Sequence, residues 1–150
     1  MASIYTTQAQ ILGEIQLMDL IALTDDTNTG NVDTTVLNQI IANAGGFIDS
    51  KIANIYGEQL PFTGTIPSSV ASMALTITCY RLYRRRLVPD EKNNFTEEYN
   101  NVVAFLNEVN EGIKHLNDVP SRDYPQGAVT GQTVVYGGQI FFNGRLANTM

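Results

Sequence analysis

Residues 34–57, "TTVLNQIIANAGGFIDSKIANIYG", restrict the fold more than any other stretch of this chain. Val36, Leu37, Ile40, Ile41, Ala44, Ile48, Ile52 and Ile55 recur at the i, i+3, i+4, i+7 spacing of one helix face. A helix with such a stripe must bury it against something. Asp33 or Thr34 supplies an N-cap, and Gly57 supplies a stop. Gly45 and Gly46 break the stripe, and each costs roughly 1 kcal/mol relative to alanine in a helix interior. The pair predicts either close packing against the helix or a local kink.

Three further segments carry helical spacing. Thr7 followed by Gln10 forms a capping-box pattern, and Ile11, Leu12 and Ile15 follow it. Gly13 leaves two arrangements open: one long helix, or a short helix followed by a second. In "LMDLIALT", Leu17, Leu20 and Ile21 form the expected stripe. A loop with Pro61 and Pro67 leads into "SSVASMALTITCYRLYRRRL", whose expected buried stripe is Val70, Met73, Ala74, Ile77, Tyr80 and Leu87. Pro89 and Asp90 open the last helix, where acidic Asp90 and Glu91 suit a positive N-terminus. Phe95, Tyr99, Val102, Val103, Leu106 and Val109 line its face, and Gly112 lies near its end.

The charges are unevenly placed. Of the 24 charged residues, only Arg122, Asp123 and Arg145 follow residue 118. The C-terminal stretch is instead rich in Gly, Val, Thr and aromatics, unlike a solvated disordered tail. "TVVYGGQIFF" reads as two short strands around Gly137-Gly138, a two-residue hairpin signal. An isolated hairpin is marginal in water. Val134, Val135, Tyr136, Ile140, Phe141 and Phe142 therefore need a surface, either the helical body or another subunit. The scarcity of charge favours another subunit. The expected fold is all-α. A small antiparallel bundle of four to five helices spans residues 1–118, and an extended arm with a short β-hairpin near 133–142 spans residues 119–150.

Several functions lose support. The net charge of −6 argues against wholesale nucleic-acid wrapping, though an acidic surface lets DNA slide past. The one cysteine, Cys79, excludes an internal disulfide framework and reads as a buried small hydrophobe. The one histidine, His115, reads as a solvated or capping residue. Neither a signal peptide nor a membrane-spanning apolar run is visible. No phosphate loop, dinucleotide fingerprint or zinc spacing is present, so neither an enzyme nor a cofactor is expected.

Two charged features remain. Arg81, Arg84, Arg85 and Arg86 cluster in "YRLYRRRL". As cations at a helix C-terminus they complement the dipole, with Tyr80 and Tyr83 packed inward. They also suit contact with an acidic partner or passing DNA, and both roles are compatible. The second feature is "TDDTNTGNVD". With Asp25 at position 1 of a calcium loop, Gly30 falls at 6, Asn31 at 7, Val32 at 8 and Asp33 at 9. Positions 3 and 5 are Thr27 and Thr29, and position 12 is Val36 in place of the bidentate glutamate. A tight turn that caps the next helix is the expected role. A calcium- or ligand-responsive helical module is the alternative reading of the chain, and a DNA-binding helical domain using Arg81 to Arg86 a third.

The order of the pieces is itself informative. "LTDD…GNVD", "FIDSKIANIYG", "LPFTGTIP", "YRLYRRR" and "EEYNNVVAFLNEVNEG" follow one another over about residues 4 to 113. In that order they resemble the head-tail connector, or adaptor, family of Mu-like phages. Gly45-Gly46 replaces small Ala or Ser residues usual there, and Phe105 stands where a Trp precedes the last-helix leucine. The resemblance implies a structural head-completion protein of the virion neck, assembled in the host cytoplasm. It implies a ring, usually dodecameric, under the portal protein, a docking surface for tail or stopper proteins, and a channel that passes genomic DNA without reading its sequence. No membrane is involved. The candidate interface residues are the four arginines Arg81 to Arg86, the six hairpin residues and Arg145.

Overall fold

α3, Thr34–Tyr56, is the platform of the structure, a computed structural model that describes residues 2–120. Before it come α1, Gln8–Leu12, and α2, Leu17–Thr24. After it come α4, Ser68–Arg85, and α5, Thr96–Asn110. Short 3₁₀ turns at Gly57–Gln59 and Asp90–Lys92 lie in the connections. α3, α4 and α5 pack on one another pairwise, while α1 and α2 pack against α4 and α2 also reaches α3. The described residues are thus mostly helical, with no strand among them. The hairpin expected near 133–142, and Arg145, lie outside them.

The stripe of α3 is close to the expected one. Leu37, Ile41, Ala44, Ile48 and Ile52 are buried, and Tyr56 continues the row. Val36, Ile40 and Ile55 flank it, half-buried. Burying one such aliphatic side chain fully contributes about 1.5–3 kcal/mol, so this row is a principal source of stability. Ile11, Ile15, Leu20, Leu23, Leu37, Ile41, Cys79 and Leu82 form one cluster joining α1, α2, α3 and α4.

The glycine pair resolves into two different roles. A Cβ on Gly45 would overlap the carbonyl oxygen of Ser3, whereas a Cβ on Gly46 would meet nothing within 4 Å. The helix runs through both residues. The close approach is by the N-terminal segment, not by another helix. Ser3, Tyr5 and Thr6 are buried there. The Ser3 hydroxyl donates to Asp49, the Tyr5 hydroxyl donates to Asp49 Oδ1 at 2.7 Å, and the Phe62 N–H donates to the Tyr5 oxygen at 3.0 Å.

Of the two arrangements open at Gly13, the chain takes the second: α1 and α2 are separate helices, and α2 buries Leu20, Leu23 and Thr24. Three expectations need correction. Leu17, expected on the stripe with Leu20, is instead 51% exposed, and the buried face runs through Leu20, Leu23 and Thr24. The last helix starts at Thr96, not Asp90. Buried Asn93 intervenes, donating to Tyr80 O at 3.2 Å and accepting from Phe95 N–H at 3.0 Å, and these bonds hold the chain in a turn. Leu87 is not on the buried stripe of α4 but 87% exposed, just beyond the helix end. Its N–H donates to Arg84 O at 2.9 Å and the Val88 N–H donates to Tyr83 O at 3.2 Å, the Schellman pattern with Leu87 at C′ and φ of 59°.

Chemical denaturation of two variants tests the platform. Gly45→Ala lowers stability by at least about 1–3 kcal/mol through overpacking against a backbone that cannot yield easily. Gly46→Ala raises it by about 0.5–1 kcal/mol, because an exposed helical position gains the propensity of alanine. Equal effects at the two positions would contradict the docking of residue 3 on α3.

Candidate functional site: the end of α4 and the acidic turn

The loop between α2 and α3 closes on itself before it meets any arginine. Asp25 accepts the N–H groups of Thr27 at 3.1 Å and Gly30 at 2.6 Å. Gly30 and Asn28 sit at φ of 79° and 65°, the left-handed region that glycine and asparagine tolerate. Asp33 caps α3 by accepting from Thr35 and Val36, and its own N–H donates to Thr24 Oγ1 at 3.1 Å. Val32 tucks against the core cluster. The stretch is a turn and a helix cap, as its glycine and asparagines suggest. Among the described residues no cluster of three metal-ligating side chains occurs.

The four arginines diverge. Arg85 pairs with Asp26 and donates from Nη1 to Leu23 O at 3.0 Å. Arg86 reaches Asp26 Oδ1 at 3.0 Å and Asp25 O at 3.0 Å. Together they clasp the acidic turn to the end of α4. The hydrogen bond from Arg85 holds the Asp26 carboxyl below its ordinary value, with the charges of Arg85 and Arg86 adding. Arg84 turns instead to Tyr80 Oη at 2.8 Å and Asp90 Oδ1 at 3.3 Å, while Tyr80 stacks on Tyr99 at 3.8 Å between centroids. Arg81 lies 5.2 Å over the Phe47 ring. Tyr80 is buried and Tyr83 half-buried, so both pack inward to different depths.

Sequence reasoning missed a second clasp. α4 starts after Pro67 with no side-chain cap of its own. Asp118, fifty residues on, accepts from Ser69 N–H at 2.9 Å and from the hydroxyls of Ser68 and Ser69 at 3.1 and 2.6 Å. Partial burial would raise its carboxyl, but these hydrogen bonds outweigh it and hold it low. No local spacing could reveal a cap supplied from so far along the chain.

The remaining singled-out groups take quiet positions. Cys79 is fully buried, and burial pushes its thiol up to about 12, with Glu14 and Glu98 adding to the effect. Glu97 and Glu98 lie in the first turn of α5, where carboxylates favour the dipole. His115 follows α5, half-buried.

By architecture the described residues form a small, mostly helical module whose charged side chains clasp its own turns and helix ends. The family model described as "Bacteriophage Mu, Gp36" matches residues 5–133, most of the chain. The chain therefore belongs to that phage protein family. The match runs past residue 113 into the arm, but Val134 to Arg145 lie beyond it. No curated protein matches the chain. No helix among the described residues is long and apolar enough to cross a membrane.

The Asp25 clasp makes a pH prediction. The N–H groups of Thr29, Gly30 and Thr27 favour the ionised carboxylate and push Asp25 from 3.8 down to about 2. A depressed folded value means that the loop is fully stabilised above about pH 4 and loosens as pH falls towards 2. The Gly30 amide resonance is expected to titrate with a midpoint near 2. A midpoint near the ordinary 3.8 would show that the clasp is not made in solution.

Proposed function

We propose that the protein is a non-catalytic head-tail connector of a tailed phage. In this reading it forms a ring of twelve copies under the portal. The ring extends the DNA channel and docks the tail or its stopper, and its place is the virion neck. The family match over residues 5–133 is the observation that carries the reading. The architecture supports it: charged groups spent on internal clasps suit a part that must hold its shape within an assembly. Net charge of −6 suits a channel that passes DNA without retaining it. The charge-poor arm suits a reach to the next subunit, since cyclic rings use head-to-tail interfaces and strand addition is one way for an arm to bind. Arg84 and Arg86 keep part of their surface outward and are available to partners even while clasped.

The test is the particle mass of the full-length protein, alone and mixed with portal rings. A portal-bound ring of copies is expected, whether or not the protein is monomeric alone. Truncation at residue 118 should keep the helical circular dichroism signal and abolish ring formation. A full-length chain that stays monomeric and never binds a portal would remove this reading.

A further inference from the structure

Leu87 is the residue that the fold itself leaves unexplained. It holds the C′ position of α4 at φ of 59°, and its side chain is 87% exposed. α5 closes by the same pattern with Gly112 at φ of 79°, its N–H donating to Val109 O at 3.0 Å and the Ile113 N–H to Glu108 O at 2.8 Å. Glycine suits that backbone; a leucine gains neither conformational ease nor burial there. Strained non-glycine positions gather where the residue makes a functional contact. Beside it, the side chains of Arg84 and Arg86 remain 53% and 37% exposed. The end of α4 therefore carries an apolar knob close in the chain to two partly exposed cations.

The same chain carries a hollow with both apolar and polar walls. A cavity of about 150 Å³ opens among the α1–α2 corner, α4 and the start of α5. Leu75, Cys79 and Phe95 give it apolar walls, Ser72 lines it, and exposed Glu14 and Glu98 border it. A space of that size admits a benzene-sized group and so has room for a leucine side chain. Neither glutamate has an ion pair among the described residues.

We propose that Leu87 of one copy seats in the Leu75–Cys79–Phe95 hollow of a second copy, with Arg84 and Arg86 facing Glu14 and Glu98. Knob and hollow are different surfaces of one chain, so the contact is heterologous and repeats head to tail. It rests on the reading that copies neighbour one another in a ring, and it names the contact between them. Copies that each carry net −6 repel in general, so opposed local charges are what select this register.

Disulfide trapping with full-length protein tests the contact, because it captures weak encounters. Leu87→Cys and Ser72→Cys proteins are mixed in equal amounts under mild oxidation, and the products are told apart by mass. Both variants also carry Cys79→Ala, because Cys79 lines the hollow and would otherwise offer its own thiol to the incoming residue 87. The mixed disulfide should form at least about fivefold faster than either homodimer. Statistical proportions, or dominance of the Leu87→Cys homodimer, would overturn the contact. Leu87→Gly should raise the urea midpoint of the isolated protein while weakening ring formation on the portal. A lowered midpoint would show that Leu87 serves the fold and would overturn the premise. Wild-type rings on the portal with statistical disulfides would remove this contact and leave the ring; a specific mixed disulfide from a chain that never binds a portal would do the reverse.

Discussion

At Gly45 the backbone of residue 3 occupies the space where any other residue would carry its side chain. This approach lets Ser3 and Tyr5 reach Asp49, one turn further along α3. Tyr5 then reaches across to Phe62, accepting its N–H and packing ring to ring at 5.8 Å between centroids. A single glycine thus seats the N-terminal segment on α3, and that segment pins the loop that delivers the chain to α4. Burial and the hydrogen bond to Asp49 push the Tyr5 hydroxyl up to about 12, so it stays protonated and keeps donating across the ordinary pH range.

From that platform the other elements are fastened by polar groups acting at a distance. Tyr56, at the end of α3, accepts the Leu116 N–H at 2.8 Å and fixes the segment that follows α5. That segment carries Asp118, which caps α4 in place of a local residue. At the other end of α4, Arg85 and Arg86 hold the acidic turn that starts α3. Exposed ion pairs contribute little individually, typically about 0–1 kcal/mol, so these clasps define geometry more than stability. The energy comes from the aliphatic row of α3 and the cluster it shares with α1, α2 and α4.

Local and periodic features were legible in the sequence. The stripe of α3, the Thr7–Gln10 capping box and the Asp33 cap all depend on residues within four positions of one another, and each appears as expected. The acidic turn was legible for the same reason, because its glycine and asparagines prescribe its backbone. Leu87 misled, because a leucine at helical spacing gives no sign that the backbone has already turned left-handed. Asp90 misled because an acidic residue after proline marks a helix start only when no buried asparagine intervenes. Gly45 announced a close approach but not its partner, which lies 42 positions away. The arginine cluster was visible as a run, but not that its members part towards Phe47, Asp90 and Asp26. Long-range partners of this kind leave no spacing to read.

The docking of the N-terminal segment is the claim on which the rest stands, and amide hydrogen exchange at Phe62 probes it most directly. In Tyr5→Phe the Phe62 N–H loses its acceptor. Its exchange should quicken about tenfold, as expected for a bond contributing about 1.4 kcal/mol, while the Leu106 and Val109 amides of α5 keep their protection. Unchanged exchange at Phe62, or equal acceleration at all three amides, would contradict a staple that acts on this loop.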